Sequence, residues 1–340
     1  MEKVLFDQVV KVGCGIDVHK DIIVATIRKS ENEYETMEFT SFTSSLTELR
    51  EWCKSESVTH VAMESTGVYW KPVFNILEAG DFEIILVNAR HVRNVPGHKT
   101  DKQDSQWLSK LLVSGLLKAS FIPPVEIRDL RDLVRYKKKV VAQASSEKNR
   151  IIKILEDANI KLSSVLTSVD GAVGTKIIDD LIAGKADINE LMKHYHGKIK
   201  ASKTEFRLAL EGRLTKHHQF MLRVIQESIA DKEKLTAKIE TQIDELAKQY
   251  SVEIDLLQTI PGVAYDSAVS IISEIGADMS QFSSEEHLSS WAGMSPGNNE
   301  SGGKKKAQPQ STGTKKNKPL LSNEARTHRE RQIAIANVNI

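Results

Sequence analysis

Along the first 120 residues, apolar positions come in short blocks separated by polar turns. Residues 12–17 (VGCGID) predict a buried strand, and the β-branched run 21–27 (DIIVATI) predicts its hairpin partner. Alternation over 34–40 (YETMEFT) predicts a third strand. Helical spacing follows over 44–54, where Leu46, Leu49, Trp52 and Cys53 share a face. Residues 58–63 (VTHVAM) and 83–87 (EIILV) predict strands four and five, with a helix over 70–79 between them. A further helix is predicted from Asp101 to about Leu117. The order β-β-β-α-β-α-β-α predicts an α/β domain over residues 10–122.

The period then lengthens. Arg128 to Leu162 carries apolar residues at 130, 134, 140, 141, 151, 152 and 155. Residues 219–250 place Phe220, Ile225, Ile229, Leu235, Ile239, Ile243 and Leu246 along one amphipathic helix of about nine turns, long enough to suggest a coiled coil. A helical, coiled-coil linker region is therefore expected over 126–250, with Ser164–His218 as a helical insertion and a homo-oligomer, a dimer or tetramer, as the consequence. Residues 254–307 predict a small, mainly α domain punctuated by Pro261-Gly262. Such a turn can offer backbone N–H groups to phosphates, and an ordinary inter-helix turn fits it as well. Residues 296–318 are Gly/Ser/Lys-rich and lack periodicity, and no internal repeat is visible.

Composition fits a globular chain of 340 residues with 40% hydrophobic and only 6% aromatic residues, so its cores must be mainly aliphatic. The formal net charge of +1 speaks against a polyanion partner until it is resolved along the chain. Residues 90–153 hold 15 basic and 6 acidic residues, a net of +9, and residues 302–331 hold 9 and 2, a net of +7. That asymmetry points to nucleic acid, although two solvated helix faces would carry the same charges. The beginning lacks the apolar run of a signal peptide, and no stretch is long and apolar enough to span a membrane. Cys14 and Cys53, far apart in sequence, fit a reduced cytosol and cannot by themselves form a structural zinc site.

Four carboxylates stand out. Asp17 ends the first strand in GIDVHK, and Glu64 follows the fourth in AMESTGVYW. Asp101 and Asp104 open the next helix in HKTDKQDS, three apart and so on one face. Carboxylates converging from strand ends and a neighbouring helix repel one another unless divalent cations intervene, and paired hard cations suit phosphodiester chemistry. Each aspartate alone could instead be a cap, Asp101 at the N-cap and Asp104 at N3. His91, Arg93, His98, Lys99 and Lys102 surround the pair, as a phosphate backbone would require. Arg128, Arg131, Arg135, Lys137, Lys138, Lys139, Lys148, Arg150 and Lys153 form a basic helical stripe of the kind that tracks RNA or DNA. Tyr69 and Trp70 are candidates for base stacking, and Trp70 also reads as core.

A strand beginning GID before a hairpin also opens actin-like ATPases and sugar kinases. Those need Gly-rich phosphate loops, whereas Gly67 is the only glycine between Gly15 and Gly80 here, and no P-loop pattern occurs. No nucleotide cofactor is expected.

Taken together, GIDVHK, AMESTGVYW and NARHVRNVPGHKTDKQDS resemble the RuvC-like domain of transposases of the insertion sequence 110 family, its insertion sequence 1111 branch included. The segment IPGVAYDSAVSIISEIGADMSQFSSEEHLSSWAGMSPGNNESGG resembles that family's C-terminal transposase domain. The resemblance covers most of 10–120 and 255–305; the helical middle matches only in character. It implies an RNase H-like first domain whose DEDD set maps onto Asp17, Glu64, Asp101 and Asp104, with Mg²⁺ or Mn²⁺ as the metal. It implies a nucleophilic serine, which maps onto Ser301 in NNESGG. It also implies DNA substrates at the element ends and target, a structured bridge RNA as guide, and protomers arranged so that the carboxylates of one face the serine of another. The setting it implies is the cytosol of a bacterium or archaeon.

A serine hydroxyl needs activation, which a metal cluster at the phosphate can supply. Gly302 and Gly303 allow a close backbone approach, and Lys304, Lys305 and Lys306 could clamp the scissile strand; a flexible basic linker would read the same way. Ser65, Ser105 and Ser267 compete for the role, the first two beside carboxylates. After about residue 307 the chain departs from the family pattern: Pro319 interrupts the expected basic turn, and 322–340 lack a strong apolar face. Residues 308–340 are thus read as an atypical tail, produced by a frameshift or early stop. The resulting expectation is an RNA-guided DNA recombinase. A metal-dependent, resolvase-like nuclease using water and a non-catalytic nucleic-acid-binding remnant are the alternatives.

Overall fold

The computed structural model describes residues 8–65, 67–88 and 101–292, together with the backbone of 300–301 and 304–305. The chain divides into two compact units, residues 1–122 and 123–340.

The first unit is built on five strands: β1 (Gly13–Val18), β2 (Ile22–Arg28), β3 (Tyr34–Thr40), β4 (His60–Glu64) and β5 (Glu83–Val87). Their order is β3-β2-β1-β4-β5. The first three form an antiparallel meander, while β4 and β5 run parallel to β1. Helices α1 (Thr43–Ser55), α2 (Trp70–Leu77) and α3 (Asp101–Val113) complete the unit. The predicted strands are all present, each shifted by no more than two residues at its start, and α3 ends at Val113, short of Leu117.

Side chains alternate between the faces of a strand, so each face has its own core. One face sets Cys14, Ile16, Val18, Val61 and Met63 against Leu46, Leu49 and Cys53 of α1 and Val73, Phe74 and Leu77 of α2. Trp70 belongs to this core, edge-to-face with Phe74 at 5.7 Å between ring centres, while Tyr69 is exposed. The other face packs Ala62 and Val87 against Leu108 and Leu112 of α3.

Cys14 and Cys53 meet across the first of these cores. Their distance along the chain hid this contact. Both are free thiols with no exposed surface. A hydrogen bond with Cys53, together with burial, pushes the Cys14 thiol well above its ordinary pKa.

Beyond residue 123 the structure is helical. Helices α4 (Val125–Asp157) and α9 (Lys216–Ala247) form a long antiparallel pair: the start of α4 clusters with the end of α9, and the end of α4 with the start of α9. Between them come α5 (Leu162–Val165), α6 (Ala172–Ile182), α7 (Ile188–Leu191) and α8 (Lys203–Leu210), the helical insertion expected from sequence. These pack around Phe206 at one end of the pair. At the neck, Thr215 and His218 form a capping box that starts α9, and His218 Nε2 donates to Asp157 at 2.8 Å. The opposite end carries α10 (Ser251–Gln258), α11 (Tyr265–Ile275) and α12 (Glu285–Trp291). Gly262, at φ +88, makes the turn between α10 and α11.

Much of the apolar stripe of α9 is filled from within the chain, while Phe220 and Leu235 are exposed. Ile225 and Ile229 bury against Ile151 and Leu155, while Ile239 and Ile243 bury against Ile127, Leu130 and Val134. This part of the seam that suggested an oligomer is thus intramolecular.

Candidate active site

Asp17 lies on the sheet face that bears α3. Gly13, Gly15 and Asp17 share that face of β1, and Ala62 and Glu64 share it on β4. Ile16 pairs with Met63 in the parallel register, so Asp17 and Glu64 stand one residue further on, at the same ends of adjacent strands.

Helix α3 reaches this edge because the surface beneath it is small and polar. A Cβ on Gly15 would lie 2.3 Å from Ser109 N and 2.5 Å from Ser105 O, and one on Gly13 would lie 2.9 Å from Leu112 Cδ2. Ser105 and Ser109 are fully buried. Ser105 Oγ lies 2.8 Å from Thr26 Oγ1, and Arg28 Nε donates to Ser109 Oγ at 3.1 Å. These contacts pin α3 close to β1 and β2, with Asp101 and Asp104 in its first turn. Ser105 therefore serves the packing of α3, and its hydroxyl also donates to Lys102 O.

Three groups converge at the edge: Asp17, Asp101 and His19 each offer a ligand atom, all within 4.8 Å of one another. His19 Nε2 lies 3.1 Å from Asp17 Oδ2 and 3.2 Å from Asp101 Oδ1. Side-chain exposure is 15% for Asp17, 54% for Asp101 and 50% for His19, so the cluster opens to solvent. Burial pushes the Asp17 carboxyl above its usual range. His19 works against that rise, and Asp104 and Asp101 add to it. Two carboxylate oxygens and one imidazole nitrogen at an open edge are a donor set that fits a divalent cation.

His19 is the residue that sequence reasoning passed over. It lies just outside the strand, in the turn to β2, where its N–H donates to Ile22 O at 3.0 Å. The Asp-x-His spacing at a strand end was the available signal, since residues two apart face the same way.

The predicted cationic residues separate into different surroundings. Lys102 pairs with Glu38 at 3.0 Å on the exposed surface. Arg135 makes a bidentate pair with Glu274 of α11, at 2.8 and 2.7 Å, and Arg131 donates to the Ser273 and Glu274 carbonyls. Glu274 is only 7% exposed. Lys137 bridges Glu240 at 2.8 Å and Asp266 at 3.0 Å. Burial opposes its charge, yet these two carboxylates hold its pKa above the usual value. Nearby, Tyr265 donates to Asp244 at 2.9 Å, and burial plus this bond push the phenol up to about 12. Arg131, Arg135 and Lys137 are therefore ties between α4, α9 and α11. Arg128 is half-buried, whereas Lys138, Lys139, Arg150 and Lys153 are exposed on α4. Arg93 and Lys99 lie outside the described residues. Ser301 belongs to β6 (Glu300–Ser301), which pairs antiparallel with β7 (Lys304–Lys305), Ser301 opposite Lys304.

Two family models match the chain. A DEDD-type model of the IS110 transposases, described as a transposase, matches residues 14–160. A second, described as the transposase IS116/IS110/IS902 family, matches residues 254–336. The stretches do not overlap, and together they span more than half of the chain. The chain belongs to the IS110 family of transposases. It is thus a DNA-processing enzyme. The second match continues past residue 307, through most of the stretch whose pattern reads as atypical. No curated protein matches the chain. Among the described residues, no helix is long and apolar enough to cross a membrane.

Proposed function

We propose that this transposase is an RNA-guided DNA recombinase of an insertion sequence, with an RNase H-like first unit and a serine nucleophile in the second. What supports the reading most is the convergence of Asp17 and Asp101 at the sheet edge, with Glu64 on the same face of the adjacent strand. Asp17, Glu64, Asp101 and Asp104 would hold Mg²⁺ or Mn²⁺. Such ions, when bound, supply charge stabilisation for the attacking and leaving oxygens of a phosphodiester.

The chain's own groups do the rest. Asp17 and Glu64 are fixed by strand pairing, and Asp101 and Asp104 by the close seating of α3. Ser301 loses its hydroxyl proton, its oxygen bonds to phosphorus, and a deoxyribose oxygen leaves and takes up a proton. The phosphoserine ester conserves the bond energy, so strands can be rejoined without a nucleotide cofactor. Lys304 and Lys305 would hold the scissile backbone, and Lys102, Lys138, Arg128 and the exposed cations of α4 would track DNA or guide RNA.

The test is to incubate the protein with RNA from the element's non-coding end, Mg²⁺ and DNA carrying the junction. A covalent protein–DNA adduct is expected, absent in Ser301→Ala and in Asp17→Ala. Strand cleavage that persists in Ser301→Ala would instead assign water as nucleophile. RNA binding without cleavage in any divalent metal would mark a non-catalytic remnant.

A further inference from the structure

We propose that His19 is a third protein ligand of the divalent cation, completing an O,O,N set with Asp17 and Asp101, and that its imidazole biases the site toward Mn²⁺ over Mg²⁺. The inference rests on the metal reading given above.

The distances carry it. Adjacent ligands of an octahedral ion at about 2.1 Å from the metal lie about 3.0 Å apart. His19 Nε2 stands 3.1 Å from an Asp17 oxygen and 3.2 Å from an Asp101 oxygen, each in the range of neighbouring ligands around one ion. The same nitrogen faces both carboxylates, and an ion there would take the Nε2 lone pair of the neutral ring, whose one proton then sits on Nδ1. The hairpin bond from His19 N–H to Ile22 O fixes the backbone, and the strand register fixes Asp17 two residues earlier. The ring is half exposed, so an ion can reach it from solvent.

The chemistry gives direction. Imidazole suits the first-row transition metals, whereas Mg²⁺ prefers oxygen and keeps its waters. A site of carboxylates alone would separate the two ions less than one with a nitrogen donor. His19 would thus set metal preference, while Glu64 and Asp104 would complete the charge.

The experiment uses the full-length chain and Mn²⁺ alone, read by pulsed electron paramagnetic resonance. The wild-type spectrum is expected to show nitrogen coupling of a directly bound imidazole, altered when the protein is labelled with ¹⁵N-histidine. His19→Ala should abolish that coupling and weaken Mn²⁺ binding by about tenfold or more, with Mg²⁺ binding changed far less. Mn²⁺ that binds in an Asp17-dependent way without nitrogen coupling would overturn the assignment of His19 and leave the carboxylate site standing. Wild-type protein that binds no Mn²⁺ would overturn both. Because the label marks all ten histidines, His19→Gln repeats the comparison should the alanine variant fold poorly, and coupling that survives in a folded His19 variant would overturn the assignment.

Discussion

Gly15 and Ser109 touch so closely that a methyl group on the glycine would sit 2.3 Å from the Ser109 backbone nitrogen. A backbone cannot swing aside as a side-chain tip can. Gly15→Ala must push α3 off β1, and it should cost about 3 kcal/mol, the upper end for overpacking. Because α3 carries Asp101 and Asp104, divalent-metal affinity should fall with it. Chemical denaturation and Mn²⁺ titration of the same variant check both effects.

Asp17 holds its proton more tightly in the folded chain than in the unfolded one. A raised carboxyl pKa contributes stability below the unfolded value, about 3.9, and that contribution is lost as pH rises through the folded value. Ionised Asp17 therefore costs stability at neutral pH when no metal is bound. In chelator at pH 7, Asp17→Asn should melt higher than wild type, and the gap should close below about pH 4. Adding Mn²⁺ should reverse the order by stabilising only the wild type.

Glu274 neutralises two guanidinium groups at the junction of α4 and α11. Glu274→Ala strands them in a poorly solvated place and should cost about 3 kcal/mol. Lys139→Ala, on the exposed face, should leave stability within about 0.5 kcal/mol and reduce the salt slope of nucleic-acid binding by about one. Thermal melts and salt titrations separate the two kinds of cation.

Cys14 and Cys53 should be inert in the native protein. Both are fully buried, and the hydrogen bond with Cys53, together with burial, keeps the Cys14 thiolate scarce. A maleimide is expected to label neither under native conditions and both in denaturant. Fast native labelling of either thiol would contradict the burial of the core formed by β1 and α1.

The strands were readable because buried strands need β-branched runs, and 21–27 and 83–87 carry them. Asp17, Asp101 and Asp104 could be picked out because strand ends and helix starts are where a fold can gather charge. His19 was not, because it falls one residue beyond the strand, and its position depends on the hairpin that follows. The basic stripe of α4 looked uniform, since cations three and four apart are the same in sequence whether they meet solvent or a buried carboxylate. Only the packing of α11 reveals that Arg131 and Arg135 face Glu274. The partner of the α9 stripe was hidden for a related reason: an apolar seam does not say whether its mate lies in the same chain.

That mate gives the second unit a fixed dimension. Helix α4 has 33 residues, which at 1.5 Å each is about 50 Å, and α9 braces it over nearly the same length. A DNA duplex advances about 3.4 Å per base pair, so the braced pair is as long as about 15 base pairs. Its two ends are locked into separate apolar clusters and cannot slide past one another. Within this unit the helix pair acts as a spacer, holding the cluster around the insertion apart from the cluster around α10 and α11.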